Sequence, residues 1–253
     1  MRQALAGSGS LEKRNVIHMI ISGIQKFTLL DFPGKIACIL FTGGCHYRCG
    51  FCHNPEFVLP EQLAKLSKSF IPEEVALNFL QKRRGMLDGV VISGGEPTIM
   101  PDLESFIVKV RDLGFAVKLD TNGNRPEVLR SLIKKDLVDY IAMDFKTSLP
   151  GYRSLVGNGA DEMKLRESIE LLKKGDINYE FRTTLIREVH TPGILEAMRD
   201  TLSGAKRLYF QTFRSGITLD PAFKDFHGFE PEETREIAKL FSGSVKEVFI
   251  REA

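Results

Sequence analysis

Residues 36–55 read IACILFTGGCHYRCGFCHNP, and this stretch decides the fold and the chemistry together. Its opening, Ile36 to Phe41, is an apolar, β-branched run of the length of a buried strand. The run ends in Thr42-Gly43-Gly44, and Cys45, Cys49 and Cys52 follow within eight residues. Cysteines crowded into one loop past a strand end bring their sulfurs together, and converging thiolates call for a soft metal. Three is the informative number: a structural zinc or a fully ligated cubane takes four protein ligands, whereas three leave one coordination position open for chemistry. A small zinc knot completed by His46 or His53 is the other reading of the loop, since thiolate and imidazole both suit that metal.

Outward from this loop the chain alternates. Residues 19–35 are an extended lead-in broken by Gly23 and by the Pro33-Gly34 turn, and residues 56–70 have no clean period and read as a loop. A helix starts at Pro72-Glu73-Glu74 and stops at Gly85. Strands are expected at 89–93, 115–119, 138–143, 179–186 and 207–212, with helices from Asp102, from Pro126, over 161–174 and from Pro192. Residues 232–241 read as a last helix and 245–250 as a short closing strand. Strand, loop and helix repeated about six times mean parallel strands joined by right-handed crossovers. The fold class is therefore α/β, as a partial, open (β/α)6 barrel, because about eight repeats are needed to close one. A doubly wound sheet is the alternative, and in either case ligands belong at the carboxyl ends of the strands.

Those ends carry polar groups. Gly94, Gly95 and Glu96 follow the second core strand, and Asp120, Thr121 and Asn122 follow the third. Asp144 and Lys146 follow the fourth, while Arg182 and Thr184 alternate onto one face of the fifth. Each alone is explained equally well by a turn or a solvated pair.

With 253 residues, 43% hydrophobic and 27% charged, the chain is long enough to bury a full core. A net charge of +2 gives no electrostatic case for nucleic acid or a membrane surface. No apolar run is long enough to span a bilayer, and residues 1–18, with their AGSGS segment, read as a flexible tail without a signal peptide, so a cytoplasmic location is expected. The remaining cysteine, Cys38, lies within the first core strand and is expected to be a small buried hydrophobe.

The spacing C-x3-C-x2-C, with Phe51 before the last cysteine and a GGE at Gly94-Gly95-Glu96, resembles the signature of the radical S-adenosylmethionine (SAM) superfamily. The resemblance implies that Cys45, Cys49 and Cys52 hold a [4Fe-4S] cluster whose fourth iron is chelated by SAM. It implies that Glu96 accepts from the SAM ammonium, and that Asp120, Thr121, Asn122, Asp144, Lys146, Arg182 and Thr184 serve its carboxylate and ribose. Phe51 would pack near the adenine, or simply fill the loop. With only Cys38 left over there are no ligands for further clusters, which points to compact members such as the glycyl radical enzyme activases. The lead-in GIQKFTLLDFPGK and the CHNP ending are most similar to activating proteins of anaerobic ribonucleoside-triphosphate reductase; a pyruvate formate-lyase-type activase or another small radical SAM enzyme is the alternative. The implied chemistry is reductive cleavage of SAM, with an electron from a flavodoxin- or ferredoxin-type donor, followed by hydrogen abstraction from a glycine of a partner enzyme. On this reading residues 19–215 form the core and 216–253 a C-terminal extension packed on it.

Overall fold

A computed structural model of the chain describes residues 19–251; the expected tail at 1–18 lies outside the described residues. One eight-stranded sheet runs in strict sequence order. Its strands are β1 (Ile21–Thr28), β2 (Ala37–Thr42), β3 (Gly89–Gly94), β4 (Ala116–Thr121), β5 (Tyr140–Asp144), β6 (Asn178–Leu185), β7 (Arg207–Thr212) and β8 (Glu247–Arg251). β1 is antiparallel to β2, and every later pair is parallel. Sequential order with right-handed crossovers puts all the helices on one side of the sheet and leaves no point where the order reverses. That excludes a doubly wound sheet. β1 and β8 do not pair with each other, so the sheet is open at both edges.

The strands form because each carries two different faces. In β5, Ile141 and Met143 point to the helix side, while Tyr140, Ala142 and Asp144 point to the other. The helix side holds the main apolar core, with Leu40, Ile92, Leu119, Phe181 and Phe210 packed beneath Phe106, Leu129, Ile169 and Met198 from the helices. Cys38 is fully buried within it, as a small hydrophobe should be. On the concave side Phe32, Ile39, Val91 and Tyr140 form a smaller cluster.

The helices are α1 (Pro60–Leu66), α2 (Glu73–Gln81), α3 (Leu103–Asp112), α4 (Pro126–Lys134), α5 (Tyr152–Val156), α6 (Glu162–Lys174), α7 (Pro192–Leu202) and α8 (Pro231–Phe241). Local chemistry fixes their starts. Asp161 caps α6 by accepting from the backbone N–H groups of Met163 and Lys164, an arrangement worth about 1 kcal/mol. Glu230 and Glu233 close a reciprocal capping box at α8.

The structure differs from the sequence expectation in three places. The lead-in is a full antiparallel strand, β1, hidden in the sequence by register irregularities on either side of its paired centre. Residues 60–66, expected as loop, are helix α1, started by Pro60 at its first turn and packed by no fully buried side chain. Residues 152–156, where no element was expected, form the short helix α5, whereas the closing strand expected at 245–250 is present as β8, parallel to β7.

Candidate active site

The carboxyl ends of β3 to β6 and the cysteine loop enclose a cavity of about 260 Å³. Every residue that the resemblance assigned to the cluster or SAM lines it. Cys45, Cys49, Cys52 and Phe51 come from the loop after β2, and Gly94, Gly95 and Glu96 from the end of β3. Asp120, Thr121 and Asn122 come from β4 and its turn, Asp144 and Lys146 from the end of β5, and Arg182 and Thr184 from β6.

The glycine pair joins two strand ends. A Cβ on Gly95 would sit 2.0 Å from the Gly44 carbonyl oxygen, and Gly94 has φ +110°. This approach lets Gly95 N–H donate to Thr42 O at 2.8 Å and Glu96 N–H donate to Gly44 O at 2.8 Å. The cysteine loop is thereby tied to the end of β3 one residue before Cys45.

Glu96 is 1% exposed and already engaged. Its Oε1 accepts from Thr98 N at 3.1 Å and Thr121 Oγ1 at 2.8 Å, and its Oε2 from Asn122 N at 2.6 Å. Burial pushes its pKa up against these donors. Within the chain Glu96 thus clamps the β3 and β4 loops together, and only Oε2, with a single donor, keeps an acceptor position for a ligand.

Along the concave face runs a chain of alternating charges. Lys118, fully buried, donates to Asp120, which also accepts from Ser93 Oγ at 2.9 Å and Arg182 Nη1 at 3.0 Å. Arg182 Nε donates to Asp144 Oδ1 at 2.9 Å, and Lys146 Nζ donates to Asp144 Oδ2 at 3.1 Å. The register that sets Asp144 opposite Arg182 builds the central link. Burial alone would raise the Asp120 and Asp144 pKa values, but Arg182, with Lys118 on one side and Lys146 on the other, outweighs it and holds both carboxyls below their ordinary range. Three cations alternate with two anions along this chain, but Lys118 lies outside the cavity lining, which sets two cations, Lys146 and Arg182, against three carboxyl groups, Glu96, Asp120 and Asp144. Arg182 is spread between two carboxylates, whereas Lys146 donates to one and sits 5.6 Å from the Phe51 ring, keeping two N–H groups for a ligand.

The thiols are poised for a metal and against ionising without one. Burial pushes Cys45 up to about 12 and Cys49 up to about 11, and raises Cys52. A bound metal reverses that balance by coordinating the thiolate. Cys45 Sγ accepts from Tyr47 N at 3.4 Å and from Asn122 Nδ2 at 4.0 Å, donors that stabilise negative charge on sulfur. One tetrahedral zinc, with Zn–S of about 2.3 Å, would hold its sulfurs about 3.8 Å apart. No three His, Cys, Asp or Glu side chains among the described residues gather closely enough to hold one ion. Thiolates that each take a different iron of a cluster sit farther apart, so the three cysteines around one cavity suit a polynuclear group. Nor do the histidines complete a zinc knot. His46 lies outside the cavity lining, edge-on to Tyr47, and burial together with Arg125, Lys164 and Arg48 holds its pKa down to about 4. His53 lines the cavity but stacks on Phe213 and donates from Nδ1 to Ile217 O at 3.2 Å.

Sequence reasoning missed Tyr47, Asn54, Val58 and Ser93 as lining residues and offered His53 only as a zinc ligand. Tyr47 and Asn54 belong to the stretch quoted first, so their place between and just after the cysteines was the available signal. Tyr47 is 1% exposed, and its hydroxyl has no hydrogen-bond partner among the described residues. A buried donor left alone costs about 1–3 kcal/mol, which an acceptor entering the cavity would recover. The donor set, the mixed charges of the lining and this unpaired hydroxyl all fit a thiolate-bound cluster with a zwitterionic, hydrogen-bonding ligand beside it.

Comparison with known proteins agrees. The family model described as the radical SAM superfamily matches residues 39–201. A protein of Methanocaldococcus jannaschii that bears the name of a glycyl-radical enzyme activating enzyme is 32% identical over 237 residues, covering 92% of this chain and 95% of its own. The pyruvate formate-lyase-activating enzyme of Clostridium pasteurianum is 29% identical over 153 residues, 55% of this chain and 58% of its own. Among solved structures, SuiB of Streptococcus suis bound to its precursor peptide SuiA shares the fold with a TM-score of 0.63 at 13% identity, over 83% of this chain and 47% of its own. A domain of pyruvate-formate lyase-activating enzyme from Bacteroides vulgatus does so with a TM-score of 0.52 at 14% identity, over 65% of this chain and 99% of its own. The chain is an enzyme of the radical SAM superfamily, with a [4Fe-4S] cluster and SAM as its cofactors, and within that superfamily it belongs to the glycyl-radical enzyme activating enzymes.

Proposed function

We propose that this chain activates an anaerobic ribonucleotide reductase by generating a radical on a glycine of that partner. One observation carries the reading: three thiols, one buried and two half-buried, and a lysine with donors to spare line a single cavity at the carboxyl ends of the strands of an open sheet. When bound, the cluster and SAM supply one-electron reduction of a sulfonium and hence the power to abstract a hydrogen atom. The chain's own part is to hold and orient. Cys45, Cys49 and Cys52 ligate three irons, and Tyr47 N–H and Asn122 Nδ2 donate to the first of these sulfurs. Lys146 and Thr184 would serve the carboxylate and ribose, Gly94 and Gly95 would allow close backbone approach, and Phe51 would pack near the adenine. Glu96 Oε2 would accept from the ammonium. Asp120, Thr121, Asp144 and Arg182 act mainly through one another, keeping that wall rigid and charged. Among the described residues β1 and β8 do not close the sheet on each other, which favours access for a polypeptide loop that a closed barrel would exclude.

The similarity to the Clostridium pasteurianum enzyme favours a pyruvate formate-lyase partner as the second reading. The electron comes from a flavodoxin- or ferredoxin-type donor. No helix among the described residues is long and apolar enough to cross a membrane, in keeping with work in the cytoplasm. Anaerobic incubation with each candidate partner, reductant and SAM, followed by electron paramagnetic resonance, tests the proposal. A glycyl radical doublet on the reductase supports it; a doublet only on the lyase assigns the other partner, and none on either refutes the activase reading.

A further inference from the structure

The cysteine loop contains little regular structure of its own. Within Cys45–His53 one backbone–backbone hydrogen bond runs from Cys52 N to Cys49 O, at 3.0 Å. In its first part Arg48 Nη1 donates to Cys45 O and Tyr47 O, both at 2.7 Å, and Tyr47 N donates to Cys45 Sγ; the other ties come from elsewhere. Its first part hangs on near neighbours in the fold: Gly44 N donates to Phe57 O, Glu96 N to Gly44 O, and Arg48 N to Val156 O at the end of α5. Its second part is held by a distant segment that follows β7. Asp220 N donates to Gly50 O at 2.9 Å and Leu219 N to Cys52 O at 3.0 Å. Phe213 stacks on His53, and Ile217 O accepts from its ring. Phe223 lies against Gly50 so closely that a Cβ there would meet three ring atoms at 2.2, 2.7 and 3.0 Å. Gly50 is not among the residues with positive φ, so its backbone does not call for glycine. The Phe223 ring does. Asp220 in turn caps the short 3-10 helix that carries Phe223, accepting from Ala222 N at 2.9 Å.

We propose that residues 213–226 form a clasp that positions Cys49 and Cys52, and only those two ligands, before the cluster arrives and protects that edge of it afterwards. This gives the segment after β7 a part in cofactor assembly, and it rests on the cluster reading only for its second half. Fixing the backbone of a residue costs conformational entropy, so a loop ordered in advance binds metal more tightly than one that must be ordered by it. The arrangement also divides the ligands. Cys45 is tied to β3 through Gly44 and Glu96, with no contribution from the clasp, and serves as an internal reference.

The experiment uses the full chain in two forms. In the iron-free protein, alkylation of each cysteine by iodoacetamide is followed by mass spectrometry for wild type, Phe223→Ala, Gly50→Ala and the double variant. Loss of about 1.4 kcal/mol of positioning corresponds to about tenfold faster modification, expected at Cys49 and Cys52 with Cys45 and Cys38 unchanged. Because both changes break one contact, the double variant should be no worse than Phe223→Ala alone. Phe223→Leu, which retains an apolar cover, should lie between wild type and Phe223→Ala. In the reconstituted protein the same variants should release iron to a ferrous chelator faster in the same order, with unchanged far-ultraviolet circular dichroism. Wild-type alkylation rates at Cys49 and Cys52, an equal rise at Cys45, or effects that multiply in the double variant would each overturn the clasp. Failure of the wild type to take up iron would instead sink the cluster reading, while the iron-free arm still decides the clasp.

Discussion

Replacing Arg182 by Met tests whether the alternating charges on the concave face form one structural unit. The guanidinium joins Asp120 and Asp144, and both it and Asp120 are nearly inaccessible, with side chains 13% and 12% exposed. Removing one member of a buried pair costs about 3–5 kcal/mol because the partner's charge is left uncompensated. Here Lys118 still faces Asp120 and Lys146 still faces Asp144, so the lower end, about 3 kcal/mol, is expected. For a chain of this size that lowers Tm by roughly 6–12 °C. The pH dependence has a definite sign. Both carboxyls have folded-state pKa values below their ordinary range, so their stabilisation is present above about pH 4 and is lost as pH falls through the folded values. Wild type and variant should therefore differ most near pH 7 and converge in acid. Arg182→Lys, which keeps the charge but not the fork, should fall between them. The assay is thermal or urea unfolding of the cofactor-free protein between pH 3 and 7. A variant as stable as wild type at pH 7, or a deficit that does not shrink in acid, would refute the reasoning.

Further outcomes follow from the same geometry. Ala in place of Cys45, Cys49 or Cys52 should abolish iron–sulfur absorbance after reconstitution, whereas Cys38→Ala, in the apolar core, should leave iron content intact; iron analysis decides both. Tyr47→Phe should leave the cofactor-free protein as stable as wild type or up to about 1 kcal/mol more so, because the buried hydroxyl has no partner there, but should weaken SAM binding or shift the cluster potential in the loaded protein. His190 accepts at Nδ1 from Ile186 N and donates from Nε2 to Lys146 O, and burial holds its pKa below the ordinary value. Its neutral form is thus the folded one: stability is complete above about pH 6.5 and falls by up to ~1.4 kcal/mol per pH unit below it. His190→Gln should flatten that part of the urea-unfolding profile.

The strands of the core were legible because β2, β3 and β5 are largely apolar runs, and β4, β6 and β7 alternate apolar residues for the helix side with polar ones for the other face. The cavity was legible for a related reason. Topology sends every strand's carboxyl end to one rim, so polar residues there must converge whatever their individual roles. What each does was not legible. Asp120, Asp144 and Arg182 look alike in sequence as ligand contacts, yet the register that sets Asp144 against Arg182 turns them toward one another. Glu96 reads as a free acceptor and is instead largely filled by Thr98, Thr121 and Asn122. β1 escaped notice because its pairing with β2 shifts register on both sides of Gly23–Gln25. The contact between Gly50 and Phe223 joins residues far apart in the chain and leaves no local pattern in either segment. Only the glycine itself, in a place where its backbone did not need one, hinted at a neighbour.

The most direct test of the account is anaerobic: reconstitute the chain with iron and sulfide, reduce it, add SAM, and measure 5′-deoxyadenosine. The account predicts product in the wild type and none when Cys45, Cys49 or Cys52 is replaced by Ala. A wild type that binds zinc and forms no product, or a cysteine variant that still forms it, would contradict the assignment of the three-cysteine loop.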